Sequence, residues 1–119
     1  MKLKNVQLLY NAAAHFNAAE KYPEGLVNEL QKTGAESYEA LFWAFSEMMK
    51  QAEMIRRFMG ETPNTYYSPE ELKLIMRPKQ IPIASEMVFR ELANALNTPG
   101  ENEEIDLVLQ EFQKKTTTD

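Results

Sequence analysis

Cysteine is absent from this chain of 119 residues, and it holds only four glycines, one tryptophan and one histidine. Each scarcity removes a class of chemistry. Without cysteine there are no disulfides, no thiolate nucleophiles and no Cys-based zinc sites, so stability has to come from packing. The glycines, at 25, 34, 60 and 100, stand too far apart to build a phosphate-cradling loop or a dinucleotide fingerprint. No apolar run approaches the roughly 20 residues that a membrane-spanning helix needs. Met1-Lys2-Leu3-Lys4 carries the charge of a signal peptide start, but Asn5, Gln7, Asn11, His15 and Asn17 are too polar for its apolar middle. The expected setting is the cytoplasm, with no membrane partner.

Positive charge is also sparse. The net charge is −5, from 13 Lys and Arg against 18 Asp and Glu, and all of the imbalance lies in residues 61–119, since 1–60 hold seven of each sign. The only adjacent basic pairs are Arg56-Arg57 and Lys114-Lys115. Binding to a phosphate backbone relies on clustered Lys and Arg displacing counterions, so no nucleic-acid partner is expected.

What is present is helical periodicity. From Ser37 to Met59, apolar side chains recur at alternating spacings of three and four: Tyr38, Leu41, Phe45, Met48, Ala52, Ile55 and Met59. That pattern predicts a long central helix at about 37–59, ended by Gly60. Phe42, Trp43, Met49, Met54 and Phe58 widen the apolar arc past a narrow seam, so this helix should meet neighbours on more than one side. Val6, Leu9, Tyr10, Ala13 and Phe16 predict a first helix of about four turns that stops before Tyr22-Pro23. Leu26, Val27 and Leu30 predict a short helical piece.

Residues 61–67 read as a loop. Ser68-Pro69-Glu70-Glu71 then combines a serine cap, a proline at the first helical position and a capping-box glutamate, with Leu72, Ile75 and Met76 as the apolar side. A further helix starts near Pro82 and carries Ile83, Met87, Phe89, Leu92 and Leu96. Beyond Pro99-Gly100, Ile105, Val108, Leu109 and Phe112 form another apolar stripe among acidic residues. No alternating strand pattern occurs. The expected fold is an all-α small bundle of about five to six helices, with a helical domain at 1–100 and an amphipathic C-terminal helix or arm at 101–119.

A search for convergent chemistry finds little. His15 has no carboxylate or hydroxyl at helical spacing and reads as a surface or half-buried helix residue. Glu70-Glu71 and Glu103-Glu104 are adjacent pairs whose side chains diverge by about 100° on a helix. Helix-start electrostatics accounts for both. No enzyme activity, metal or cofactor is expected.

The group that stands out is Met48, Met49, Met54 and Met59 with Phe42, Trp43, Phe45 and Phe58. Flexible, polarizable methionine recurs on surfaces that accept varied apolar partners. The apolar girth of this helix is larger than one small bundle is expected to hide, so the expected client or oligomer contacts are Trp43, Met48, Met49, Met54 and Phe58. The C-terminal stripe of Ile105, Leu109 and Phe112 joins them, packed either within the chain or on a neighbour.

The order of these pieces resembles the tail assembly chaperones of long-tailed bacteriophages. The resemblance rests on Ala19-Glu20-Lys21-Tyr22, Gly25-Leu26-Val27, the run from Tyr38 to Phe45, the Ser68-to-Leu72 start and the helix at Ile83 to Leu96, and it covers about residues 5–97. It implies a non-enzymatic factor in the cytoplasm of the bacterial host, absent from the mature virion. Such a factor keeps the tape measure protein soluble, self-associates and helps recruit tail-tube protein. Family members are often also made as a longer frameshifted product, to which Gln113-Lys114-Lys115-Thr116 would correspond. The competing reading is a small helical DNA-binding regulator built on Ser68 to Leu96 around the Arg77-Pro78 turn, with Lys79 and Arg90 as its basic groups.

Overall fold

The computed structural model describes residues 1–96. Among them are five α-helices, two short 3₁₀ turns and no strand, which makes the fold all-α. The helices are α1 (Ala12–Lys21), α2 (Leu26–Leu30), α3 (Ala35–Phe58), α4 (Pro69–Ile75) and α5 (Ile81–Leu96). The 3₁₀ turns are Leu3–Asn5, before α1, and Pro78–Gln80, which leads directly into α5. The C-terminal segment expected at 101–119 lies outside the described residues.

Helix α3 organises everything else. Its 24 residues span about 36 Å at 1.5 Å per residue, and all four other helices pack on it. From Ala40 to Glu53 every side chain is buried except Trp43 and Lys50, which are half-buried. The expectation that a small bundle cannot hide this girth is therefore wrong for the middle of the helix. Four helices and an extended N-terminal segment divide the circumference among them. The predicted stripe holds in its centre, where Leu41, Phe45, Met48 and Ala52 are core, and fails at its ends, where Tyr38, Ile55 and Met59 project past the bundle.

The end of α3 has a geometric cause. Gly60 takes φ +84°, its N–H donates to the Arg57 carbonyl at 3.0 Å, and the Glu61 N–H donates to the Arg56 carbonyl at 2.9 Å. This paired closure requires a left-handed residue, which glycine adopts without a Cβ penalty. The start of α4 also follows the sequence. Ser68 Oγ accepts from the Glu71 N–H at 3.1 Å, and Glu71 returns a carboxylate to the Ser68 N–H at 2.9 Å.

The first helix is shorter than its periodicity predicts. Asn11 caps it, its side-chain oxygen accepting from the Ala14 N–H at 2.9 Å, so the helix begins at Ala12. Upstream, the Leu9 N–H donates to the Met48 carbonyl at 3.1 Å and the Tyr10 N–H to Glu91 Oε2 at 2.9 Å. These bonds hold residues 6–10 across α3 and α5 as a strap. With the start moved, Ala14 and Ala18 face the core, and Phe16 is left 64% exposed.

A similar rotation affects α5. Its buried residues are Ala84, Val88 and Leu92, spaced by four, whereas the predicted members Ile83 and Leu96 are exposed. In α4, Leu72 and Met76 are core, and Ile75 turns outward beside Leu74. On α1 the buried face is alanine alone, Ala14 and Ala18, which lets its backbone approach α3, whereas the α5 face combines Ala84 with the larger Val88 and Leu92.

Phe45 is fully enclosed, so Phe45→Ala should cost about 3–5 kcal/mol in urea unfolding. Ser68→Ala removes a cap at an exposed helix start, and about 1 kcal/mol is expected from the same measurement.

Candidate functional site

The last two turns of α3 reach beyond the helices that enclose its middle. There Met54 and Phe58 are spaced by four, as are Ile55 and Met59, so the four side chains form two adjoining rows along one side of the helix. All four are exposed: Met54 by 48% and Phe58 by 82%. Glu53, on the opposite side, is buried, as is Ala52, a turn nearer the middle of the helix in line with Ile55 and Met59, and Arg57 borders the apolar strip.

The structure separates the sequence-predicted contact residues. Met54 and Phe58 are at the surface. Met48 and Met49 are core residues and present no surface to a partner, because the N-terminal strap and the other helices close over them. Trp43 is half-buried and meets the Tyr22 ring edge-on, with centroids 5.7 Å apart, so it packs the corner where α1 leads into α2. Ile105, Leu109 and Phe112 lie outside the described residues. Periodicity misses Ile55, which it assigns to the core stripe, and leaves Met59 both in that stripe and in the Met and aromatic group; it also misses the exposed Phe16 and Leu74. Their exposure depends on where neighbouring helices end, and no local pattern carries that information.

Beside the strip, the buried side of α3 is unexpectedly polar. Glu47 Oε2 accepts from Asn17 Nδ2 and from Gln51 Nε2, both at 2.8 Å, and Lys50 Nζ lies 2.9 Å from Glu47 Oε1. Gln51 in turn accepts from Asn11 at 3.3 Å. Further along, Glu53 Oε1 accepts from Arg56 Nε at 3.0 Å and from the Asn64 N–H at 2.7 Å, while Arg56 also reaches Gln7. Ser46 Oγ donates to the Tyr67 carbonyl at 2.7 Å. No buried side-chain polar atom among the described residues lacks a partner. The cleft of about 530 Å³ between the strap, the end of α3 and the 61–67 loop contains Glu53, Arg56 and Asn64 among its walls. Those groups already satisfy one another.

Burial of Glu47 alone pushes its carboxyl upward. The bonds from Asn17, Gln51 and Lys50, with the Lys50 charge, outweigh that and hold it below the ordinary glutamate range. Tyr10 shifts the other way, raised first by burial and then by the Glu47 charge. Its hydroxyl stays protonated and lies 2.9 Å from His15 Nδ1, within hydrogen-bond distance of the ring. His15 thus has a partner five positions back, across the Asn11 cap, where helical spacing does not look.

Among the described residues no three His, Asp or Glu side chains gather to hold a metal ion, and no helix is long and apolar enough to cross a membrane. No family model, no curated protein and no solved structure matches this chain.

The lowered Glu47 carboxyl links stability to acid. The unfolded chain takes up its proton first, near pH 4.3 for an ordinary glutamate, so the stabilisation is present above that value. It is lost as pH falls through the lower folded value. Glu47→Gln should flatten the acid limb of a pH–stability curve measured by chemical denaturation. An unchanged limb would assign the acid sensitivity to other carboxylates.

Proposed function

We propose that the protein is a tail assembly chaperone of a long-tailed phage. In this reading it acts in the cytoplasm of the bacterial host, holds the tape measure protein in soluble form, self-associates and is left out of the mature virion. The observation that carries the reading is the strip of Met54, Ile55, Phe58 and Met59. A factor that shields a long helical client needs apolar surface that is accessible, on a body that remains folded and charged enough to stay in solution. Here the apolar strip lies on the overhang of a helix whose middle is sealed, so occupying it need not disturb the core.

Methionine and phenylalanine side by side suit a client whose apolar pattern varies along its length, since the thioether adapts to the shape it meets. The strip is small, which favours weak individual contacts. Many subunits along one client, and contacts between subunits, raise the total affinity without enlarging any one site. Recruitment of tail-tube protein would use a different surface, for which the exposed Phe16 and Leu74 are the apolar side chains at hand.

The DNA-binding reading gains no comparable observation. On α5, Arg90 is drawn to Glu86 one turn away, and the Glu91 carboxylate is engaged by the strap at Tyr10.

Co-expression with a tape measure protein should raise that protein's soluble fraction and allow the two to co-purify. Met54→Glu with Phe58→Glu should abolish this while the far-UV helical signal and urea midpoint hold. Met48→Glu should instead unfold the chain. If the Met54/Phe58 pair leaves client solubility intact, the strip is not the contact.

A further inference from the structure

We propose that Met54 and Met59 are a paired oxidation site, through which a peroxide reversibly turns the apolar strip at the end of α3 into a polar one. The chain holds seven methionines, and all of them lie within the described residues. Their surroundings divide them. Met48, Met49 and Met76 are core, while Met1 and Met87 are half-buried. Met54 and Met59 are the two exposed ones, Met59 by 68%, and both stand on the overhang of α3.

The chemistry follows from what the surface offers an oxidant. Thiolates are the usual first target of a peroxide, and this sequence has no cysteine. The exposed thioethers are therefore the softest nucleophiles that a peroxide meets on this protein. The sulfur attacks one peroxide oxygen and the O–O bond breaks. That oxygen stays on sulfur as a sulfoxide, and the other leaves as water. Sulfur gives up two electrons and the peroxide takes them. Reversal needs a thiol-dependent reductase of the methionine sulfoxide class, which removes the oxygen as water and leaves its thiols as a disulfide.

Position decides the consequence. Met54 sits one turn before Phe58, and Met59 one turn after Ile55. A sulfoxide at each therefore puts a strong hydrogen-bond acceptor beside each of the other two apolar side chains of the strip. The sulfurs of Met48 and Met49 are sealed in the enclosed middle of the same helix, so the strip loses its apolar character while the bundle stays folded. A partner seated on the strip would cover both exposed sulfurs, which makes the unoccupied surface the form that oxidises. The consequence for a partner rests on the contact role proposed for the strip above. The oxidation itself does not.

The full-length protein is treated with dilute hydrogen peroxide and followed by peptide mass mapping, by retention on a phenyl column under native conditions and by far-UV spectra. Met54 and Met59 should oxidise about tenfold faster than Met48, Met49 and Met76, with retention falling in step and the helical signal unchanged. Methionine sulfoxide reductases for both sulfoxide epimers, with dithiothreitol, should restore the retention. Met54→Leu with Met59→Leu should keep its retention through the same treatment. Equal oxidation of buried and exposed methionines would overturn the proposal. So would a retention that holds once Met54 and Met59 are sulfoxides, or a leucine variant that loses retention as fast as the natural chain. Neither readout needs a client, so a failure to solubilise the tape measure protein would overturn the assembly role alone.

Discussion

The enclosure of α3 is the constraint on which the remaining structure depends. A helix surrounded on all sides has no solvent to satisfy its polar side chains, and an unpartnered buried polar group costs about 1–3 kcal/mol. Ser46, Glu47, Gln51 and Glu53 are nevertheless all buried on it. Between them they tie down two segments: Ser46 and Glu53 bind the 61–67 loop, while Glu47 binds α1 and Gln51 binds Glu47 and the α1 cap. These bonds fix the register of the irregular segments, which apolar packing alone would leave free to slide.

This arrangement divides α3 into two parts with different roles. The middle is a scaffold whose methionines and rings are structural, and the C-terminal overhang is a surface. The same residue types, Met and Phe, serve both. Separation along one rigid helix means that a partner on the overhang can be bound without opening the core, and the Schellman closure at Gly60 keeps the overhang helical to its end. The strap at residues 6–10 strengthens the division. It covers the side of α3 at Met48, which would otherwise be exposed apolar surface.

Much of this fold is legible in the sequence wherever the signal is local. The capping box at Ser68, the glycine stop at Gly60 and the proline in the first turn of α5 all act through backbone groups a few residues away, and all three appear where the sequence places them. The candidate surface is legible only in part. Met54 and Phe58 are outside as expected, but Met48 and Met49 carry the same apolar signal and are inside. Periodicity reports that a face is apolar. It does not report which neighbour covers it.

By itself the sequence determined the helical class, the long central element, the main helix boundaries and the scarcity of groups able to converge on a reaction. These follow from composition, caps and spacing, which operate within a turn or two of the chain. Tertiary structure alone decided that residues 6–10 cross the bundle as a strap ahead of α1, that α5 buries its Ala84, Val88 and Leu92 face, and that α3 is sealed in the middle and bare at its end. Those outcomes turn on long-range hydrogen bonds and on where one helix stops against another, quantities set by contacts between residues as distant as Tyr10 and Glu91.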